Sequence, residues 1–371
     1  MRFFSMTSLN YEDAWRSYAA KLSPHIKVGR EEHSAVNTFI IGAGFTKAVF
    51  PDAPLNRDLL DALAGKSTDS AAAVLRDTYK TDDIEIALTR LDSDIAVSQG
   101  ERRSLAEDGH KLRRRIETEL GNYFSSFLAS EELLAQSPWL AQFVDGVFTS
   151  GDVVISLNYD CVLEGALDCR GKWSPKGGYG YPFDHPLVRD DEFSKSPVTV
   201  LKIHGSASFA IAPYGDKPEA SAVNFNFDER FFPRSAKNTH FGFGAGTGRP
   251  YLIAPSYVKV PTVEMTYLML DALSASATAT NLVIIGSALR PEDGFLTLIL
   301  TNFLHQPSWR TRRVFIVDPA ANAISSRLKK FWGVNVSSQI VPIEERLEAS
   351  VSSLVESLSK RKHWCGSSLC R

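Results

Sequence analysis

Five short apolar runs, each ending on a glycine or a polar residue, constrain this chain more than any other feature. They are Asn37–Ile41 before Gly42, Asp152–Leu157 before Asn158, Val198–Ile203 before His204, Asn281–Ile285 before Gly286, and Arg313–Val317 before Asp318. The runs are apolar at consecutive rather than alternate positions. That is the pattern of strands buried on both faces, as in a parallel sheet. With helical patterns between them, they predict an α/β fold: a Rossmann-like, doubly wound, mainly parallel sheet. A further short run, Tyr251–Ala254, is read as a strand ending at Pro255.

The segment between the first two runs is unusual. Over roughly 58–148 the texture is helical. Asp58 to Leu63 opens it, Ile84, Ala87, Leu88 and Leu91 form a stripe, and Leu112, Ile116 and Leu120 continue it in a strongly charged stretch. About 90 residues exceed an ordinary crossover, so this is expected to be a helical insertion. Further helices are expected over 262–277, 295–303 and 344–360. Residues 171–197 read as an irregular loop, and 206–250 as an irregular or β-hairpin insert. The expected organisation is a helical lead-in over 1–36, where Tyr11, Trp15, Tyr18 and Leu22 recur at helical spacing, a main domain over 37–345, and a C-terminal helix and tail over 346–371.

Bulk properties exclude some partners. The net charge of −2 gives no electrostatic reason to expect direct nucleic-acid or membrane binding. No apolar run has transmembrane length, and Met1 to Arg16 lacks the apolar core of a signal peptide. The four cysteines, at 161, 169, 365 and 370, form no CxxC pair, so no metal site is expected. Few, unpaired cysteines fit a reducing cytoplasm.

In a doubly wound sheet, ligands bind beyond the carboxyl ends of the strands. Here those ends supply Gly42-Ala43-Gly44-Phe45-Thr46, Asn158-Tyr159-Asp160, His204-Gly205-Ser206, Gly286-Ser287 and Asp318. Gly42 and Gly44 allow a tight turn and a close backbone approach to a pyrophosphate. The dehydrogenase fingerprint is incomplete, because position 47 is Lys and no acidic residue closes a second strand at the usual distance. Each residue also has a purely structural reading. Asn158 and His204-Gly205 could be turn residues, Asp160 could cap the following helix, and Asp318-Pro319 could be a strand-to-helix turn. Arg57 could contact phosphate or pair with Asp58. Arg113-Arg114-Arg115 reads as a solvated helix face.

Taken in order, these motifs resemble the sirtuin superfamily. Gly42-Ala43-Gly44-Phe45-Thr46 is similar to its opening Gly-Ala-Gly-x-Ser, and Pro54-Leu55-Asn56-Arg57 to a divergent form of its Pro-x-x-Arg. Leu157-Asn158-Tyr159-Asp160 resembles Gln-Asn-x-Asp, with Leu in place of Gln. Ile203-His204-Gly205-Ser206 resembles the catalytic His-Gly, and Gly286-Ser287-Ala288-Leu289 the Gly-Thr-Ser-Leu that touches the dinucleotide. Val317-Asp318 falls where the family's last core strand ends near the adenosine ribose. Protein-deacylating members carry a four-cysteine zinc module, yet 206–280 contains no cysteine. The run from Asn158 to Glu164 and the stretch Asp82-Asp83-Ile84-Glu85 look more like the zinc-less bacterial sirtuin-like NADases of antiphage defence.

The resemblance implies an enzyme that hydrolyses NAD to nicotinamide and ADP-ribose, with NAD as substrate and no metal. Asn158 would orient water or the ribose hydroxyls. Asp160 would hold the carboxamide or stabilise charge on the sugar, and His204 would act as base. Gly42, Ala43, Gly44, Phe45 and Thr46 would cradle the dinucleotide together with Arg57, Gly286 and Ser287, and Asp318 would accept from the adenosine ribose. A protein deacylase and a non-catalytic NAD or ADP-ribose binding module are the alternatives. No separate sensor region is visible, so control is expected from homo-oligomerisation or from a partner chain. In the family such partners are HerA-type ATPases or short Argonaute proteins.

Overall fold

The computed structural model describes residues 37–359 apart from 68, 102, 181–195, 215–216, 226–229, 238–248, 258–261, 291–292, 305–311 and 333–338. The expected lead-in helix, much of the 171–197 loop, Cys365, Cys370 and the tail lie outside the described residues.

The predicted runs become the strands β1 (Asn37–Ile41), β2 (Val153–Ser156), β3 (Thr199–Lys202), β7 (Asn281–Ile285) and β8 (Arg313–Val317). Between β3 and β7 lie β4 (Gly205–Tyr214), β5 (Lys217–Phe225) and β6 (Arg249–Leu252), and β9 (Ile340–Ile343) follows β8. Six strands form one sheet in the order β3-β2-β1-β7-β8-β9, parallel throughout. The chain winds outward from β1 in both directions, which is the doubly wound arrangement expected. Every residue of β1 and β7 is buried, on both parities, so both faces of the sheet are covered.

Two strands depart from expectation. β9 was not foreseen: its run Ile340-Val341-Pro342-Ile343 is short and carries a proline. A proline is tolerated there because β9 is an edge strand, paired only with β8. The strand expected over Tyr251–Ala254 sits at Arg249–Leu252, outside the main sheet. It pairs antiparallel with β4, which also pairs with β5, so the 206–250 insert resolves as a hairpin-based three-stranded sheet.

The helices are α1 (Ala43–Val49), α2 (Asn56–Ala64), α3 (Ala71–Tyr79), α4 (Ile84–Glu101), α5 (Arg103–Phe124), α6 (Glu131–Gln136) and α7 (Pro138–Val147) before β2. Then come α8 (Val162–Cys169), α9 (Pro175–Gly178), α10 (Pro233–Lys237), α11 (Val263–Thr278), α12 (Gly294–Leu304), α13 (Ala321–Trp332) and α14 (Leu347–Ser359). The insertion has a core of its own. Leu60, Leu75, Ile84, Leu88, Ile116 and Leu120 are fully buried in a cluster that also takes in Tyr159 and Leu252. The main core surrounds the parallel sheet. Tyr159 therefore carries the motif after β2 into the insertion's core. No helix among the described residues is long and apolar enough to cross a membrane.

Candidate functional site

At the sheet's switch point, where β1 and β7 run side by side, the two glycine turns pack backbone against backbone. Gly42 N donates to Ile285 O and Gly44 N to Gly286 O, each at 2.9 Å. A Cβ on Gly44 would stand 2.6 Å from Gly286 Cα, and one on Gly42 2.6 Å from Gly286 O. Gly286 itself has φ +59°, the left-handed region that favours glycine. These glycines are thus required first by the approach of two strand ends. Leu289, four positions after Ile285, also has φ 47°, a conformation that costs a residue with a side chain of order 1–3 kcal/mol. Its turn is held by Ser287 Oγ, which accepts from Leu289 N at 3.3 Å, and by Arg327, whose guanidinium donates to the carbonyls of Ala288 and Leu289.

A cavity of about 880 Å³ opens at this end of the sheet, within the size of small-molecule sites. Of the residues singled out in the sequence, Gly42, Ala43, Gly44, Arg57, Asn158, His204, Gly286, Ser287 and Asp318 line it. Phe45, Thr46 and Asp160 do not. Phe45 is fully buried against Phe143, their ring centroids 5.7 Å apart. Thr46 and Asp160 are buried behind the wall.

Thr46 and Asp160 nevertheless belong to the site through Asn158. The Asn158 side-chain amide donates to Gly42 O at 3.1 Å and to Thr46 Oγ1 at 3.0 Å. Thr46 Oγ1 in turn donates to Asp160 Oδ2 at 2.7 Å. The other oxygen, Asp160 Oδ1, accepts at 3.1 Å from the backbone N of Val162, the first residue of α8, although the N-cap position itself is Cys161. Both amide hydrogens of Asn158 are therefore engaged, which leaves Oδ1 as the end that can receive a ligand hydroxyl or water.

Behind this relay lies a buried ion pair. Lys202 Nζ stands 2.9 Å from Glu164 Oε1 and donates to Asp160 O at 2.5 Å. Burial opposes the ammonium, but the Glu164 carboxylate and the neighbouring groups outweigh it and raise the Lys202 pKa. Tyr159, largely buried, is held as a neutral phenol by burial and donates to Ile253 O at 2.7 Å. Cys161, also enclosed, has its thiol pushed up to about 12 by burial, so it is no nucleophile.

His204 follows β3 and is fixed through its backbone, whose carbonyl accepts from Ile253 N at 2.9 Å. Its Nε2 stands 3.5 Å from Asp293 Oδ2. Asp293 was not foreseen. The signal available was its place just before the apolar run of α12, where an Asp reads as a helix cap. Asp318 lines the far part of the cavity and accepts from Ala320 N at 2.8 Å, the local turn foreseen for it. Arg57 is exposed and forms no ion pair with Asp58 or any other described residue.

The helical insertion supplies one wall. Glu85, near the start of α4, accepts from Asn56 Nδ2 at 2.8 Å and pairs with Arg290 of the loop after β7. One turn on, Thr89 Oγ1 accepts from Tyr257 N at 2.9 Å, and Asp92 accepts from Ser256 Oγ at 2.6 Å. The insertion is thus fastened to two different rims of the cavity. Glu85 was noticed in the sequence only as part of a motif. Asn56 likewise falls inside a motif, whereas Tyr257 and Arg290 carry no signal that separates a cavity wall from a solvated surface. No cluster of His, Cys, Asp or Glu able to hold a metal ion occurs among the described residues.

No protein-family model matches the chain, and no curated protein does. Several solved structures are similar to it. A mutant Sir2 homologue in complex with ADP-ribose is 13% identical over 89% of this chain and 93% of its own, with a TM-score of 0.43. A Sir2 homologue–NAD complex is 13% identical over 92% and 94%, with a TM-score of 0.41. A structure addressing the mechanism and regulation of Sir2 enzymes is 12% identical over 89% and 94%, with a TM-score of 0.40.

Proposed function

We propose that this chain binds NAD in the cavity at the switch point and cleaves it at the nicotinamide–ribose bond, with water as acceptor. The observation that carries the reading is the Asn158–Thr46–Asp160 relay, which presents Asn158 Oδ1 to the same cavity that His204 lines. In this reaction the glycosidic C–N bond breaks and its electron pair leaves with nicotinamide. The sugar passes through an oxocarbenium-like state, and the water oxygen bonds to the anomeric carbon. Asn158 Oδ1 accepts from that water or from a ribose hydroxyl and sets its direction. His204 takes the proton as general base. The switch-point glycines admit the pyrophosphate, with Ser287 and the unpaired Arg57 as its partners, and Asp318 accepts from the adenosine ribose.

NAD cleavage of this kind would deplete a cell, which fits the antiphage role implied by the sequence motifs. Control by self-assembly, or by a partner such as a HerA-type ATPase or a short Argonaute protein, belongs to the same proposal. The test is direct. The purified chain, alone and with such partners, is incubated with NAD and nicotinamide is measured. Release without any acylated peptide supports hydrolysis. Strict dependence on an acylated peptide points to a deacylase, and bound nucleotide without turnover under any activation points to a binding module. Activity from a strict monomer removes control by assembly.

A further inference from the structure

We propose that Asp293 is the positioning residue that orients His204 and keeps its imidazole basic, while the same side chain caps α12. The inference rests on the reading of His204 as a base. Its two oxygens are divided between two tasks. Asp293 Oδ2 stands 3.5 Å from His204 Nε2, and Asp293 Oδ1 accepts from Leu296 N at 3.2 Å. The second contact joins an N-cap to the third residue of its helix, the standard capping geometry. The cap fixes the carboxylate, and the carboxylate then fixes the imidazole. Both side chains are largely shielded, at 10% and 13% exposure, where a charge pair is screened less than at the surface. A helix N-terminus also favours the ionised form of its capping acid. The arrangement therefore supplies a fixed negative charge beside the imidazolium that forms when His204 takes a proton.

Several of the other charged groups around the cavity are engaged with partners of their own. Glu85 is paired with Arg290 across the cavity. The Asp160 carboxylate receives Thr46 and Val162 N, and the Lys202 ammonium faces Glu164. Arg113 and Glu117, whose charges reach the neighbouring Tyr159, are held by Asp92 and Arg249 respectively. Lys47 donates to the carbonyls of Pro51 and Ala53. Arg57, Asp318, Arg346 and Glu348 line the cavity without an ion pair to a described residue. Asp293 stands in ion-pair range of the ring.

The test compares three forms of the full chain. Asp293→Asn keeps the capping oxygen and removes the charge, since Asn caps as well as Asp, whereas Asp293→Ala removes both. The His204 imidazole is titrated by NMR on histidine-labelled protein, its signal assigned by its absence in His204→Gln. In Asp293→Asn the imidazole titrates about one pH unit lower, with an unchanged melting temperature. The acidic limb of nicotinamide release moves down by the same interval, and its plateau falls about tenfold. Asp293→Ala gives the same titration shift with a lower melting temperature. An unchanged His204 titration in Asp293→Asn overturns the inference and leaves Asp293 as a cap alone. The titration needs no turnover, so it decides the pairing even if NAD proves not to be cleaved. A shifted titration with no NAD cleavage would overturn the functional reading and keep the pair.

Discussion

The two ends of the parallel sheet are built from the same kinds of residue and do different work. At the amino end Asp152 accepts from Asn37 N and Nδ2 on one oxygen, and from Thr149 N and Oγ1 on the other. Asn281 Nδ2 donates to Asn37 Oδ1 at 2.8 Å. At the carboxyl end the set is again Asp, Asn and Thr: Asp160, Asn158 and Thr46. The amino-end cluster ties β1, β7 and the turn into β2 together; its one oxygen without a partner, Asn281 Oδ1, is buried. The carboxyl-end cluster is closed on every atom but Asn158 Oδ1 and opens there into a cavity. Residue type does not separate a structural cluster from a chemical one. The direction of the strands does, because parallel strands gather their carboxyl ends and the helices leave a crevice there.

The largest expected effect separates the ends by activity. His204→Ala lowers nicotinamide release by about 10²–10⁴-fold, the range for a lost general base, and Asn158→Ala lowers it by at least as much as it removes the water-directing oxygen. Asp152→Asn at the other end leaves release per folded molecule unchanged. Rates normalised to folded protein by circular dichroism check this. Equal losses from both ends would mean that the sheet as a whole, and not the relay, sets the activity.

How much of this was legible in the sequence follows the same division. The strand ends were readable because a consecutive apolar run closed by Gly, Asn, His or Asp is a local pattern. The insertion was readable from its length. β9 was not, since Pro342 argues against a strand until the chain is known to place it at an edge. The motif places Thr46 in the dinucleotide cradle, but its side chain turns inward onto Asp160. Which way a residue in the first turn of α1 faces depends on what the helix packs against. Asp293 and Glu85 reach the cavity from elements far along the chain, and only the fold brings them there.

The next effect tests the support behind the carboxyl end. Lys202 and Glu164 are wholly buried together. Lys202→Met strands the Glu164 carboxylate and is expected to cost about 3–5 kcal/mol of stability, whereas adding Glu164→Leu to it recovers most of that. Denaturant unfolding of the single and double variants measures both. If the double variant regains stability but not nicotinamide release, the pair serves to place the Asp160 backbone rather than to hold the fold.

A smaller effect appears in the pH dependence of the amino end. Burial pushes the Asp152 carboxyl up to about 6, against the hydrogen bonds it accepts from Thr149 and Asn37. The folded state therefore favours the protonated acid more than the unfolded chain does. The stability this confers is complete below about pH 4 and is lost as pH rises through about 6. Relative to Asp152→Asn, the native protein loses about 3 kcal/mol between those limits. Parallel melting curves of the two proteins at pH 4 and pH 7 should diverge accordingly. A constant difference would mean that the four donated bonds hold the group ionised throughout.

The last comparison sets side by side two threonines that play matching parts. Thr46 Oγ1 donates to Asp160 Oδ2 at 2.7 Å, and Thr149 Oγ1 to Asp152 Oδ2 at 3.1 Å. Valine at either position keeps the shape and removes the donor. Thr149→Val leaves Asp152 Oδ2 with the backbone bond from Thr149 N at 2.8 Å, so the cost should stay near the net worth of one hydrogen bond, about 1 kcal/mol. Thr46→Val has no such backup. It leaves one hydrogen of Asn158 and one oxygen of Asp160 buried without a partner, at about 1–3 kcal/mol for each group. The Asn158 amide can escape that cost only by rotating, and rotation moves Oδ1 away from the cavity. Thr46→Val should therefore lower the rate of nicotinamide release more than it weakens NAD binding, while Thr46→Ser, which restores the hydroxyl, returns the rate. If Thr46→Val and Thr149→Val behave alike in rate as well as in stability, the relay is merely a second structural cluster, and the contrast between the two ends of the sheet disappears.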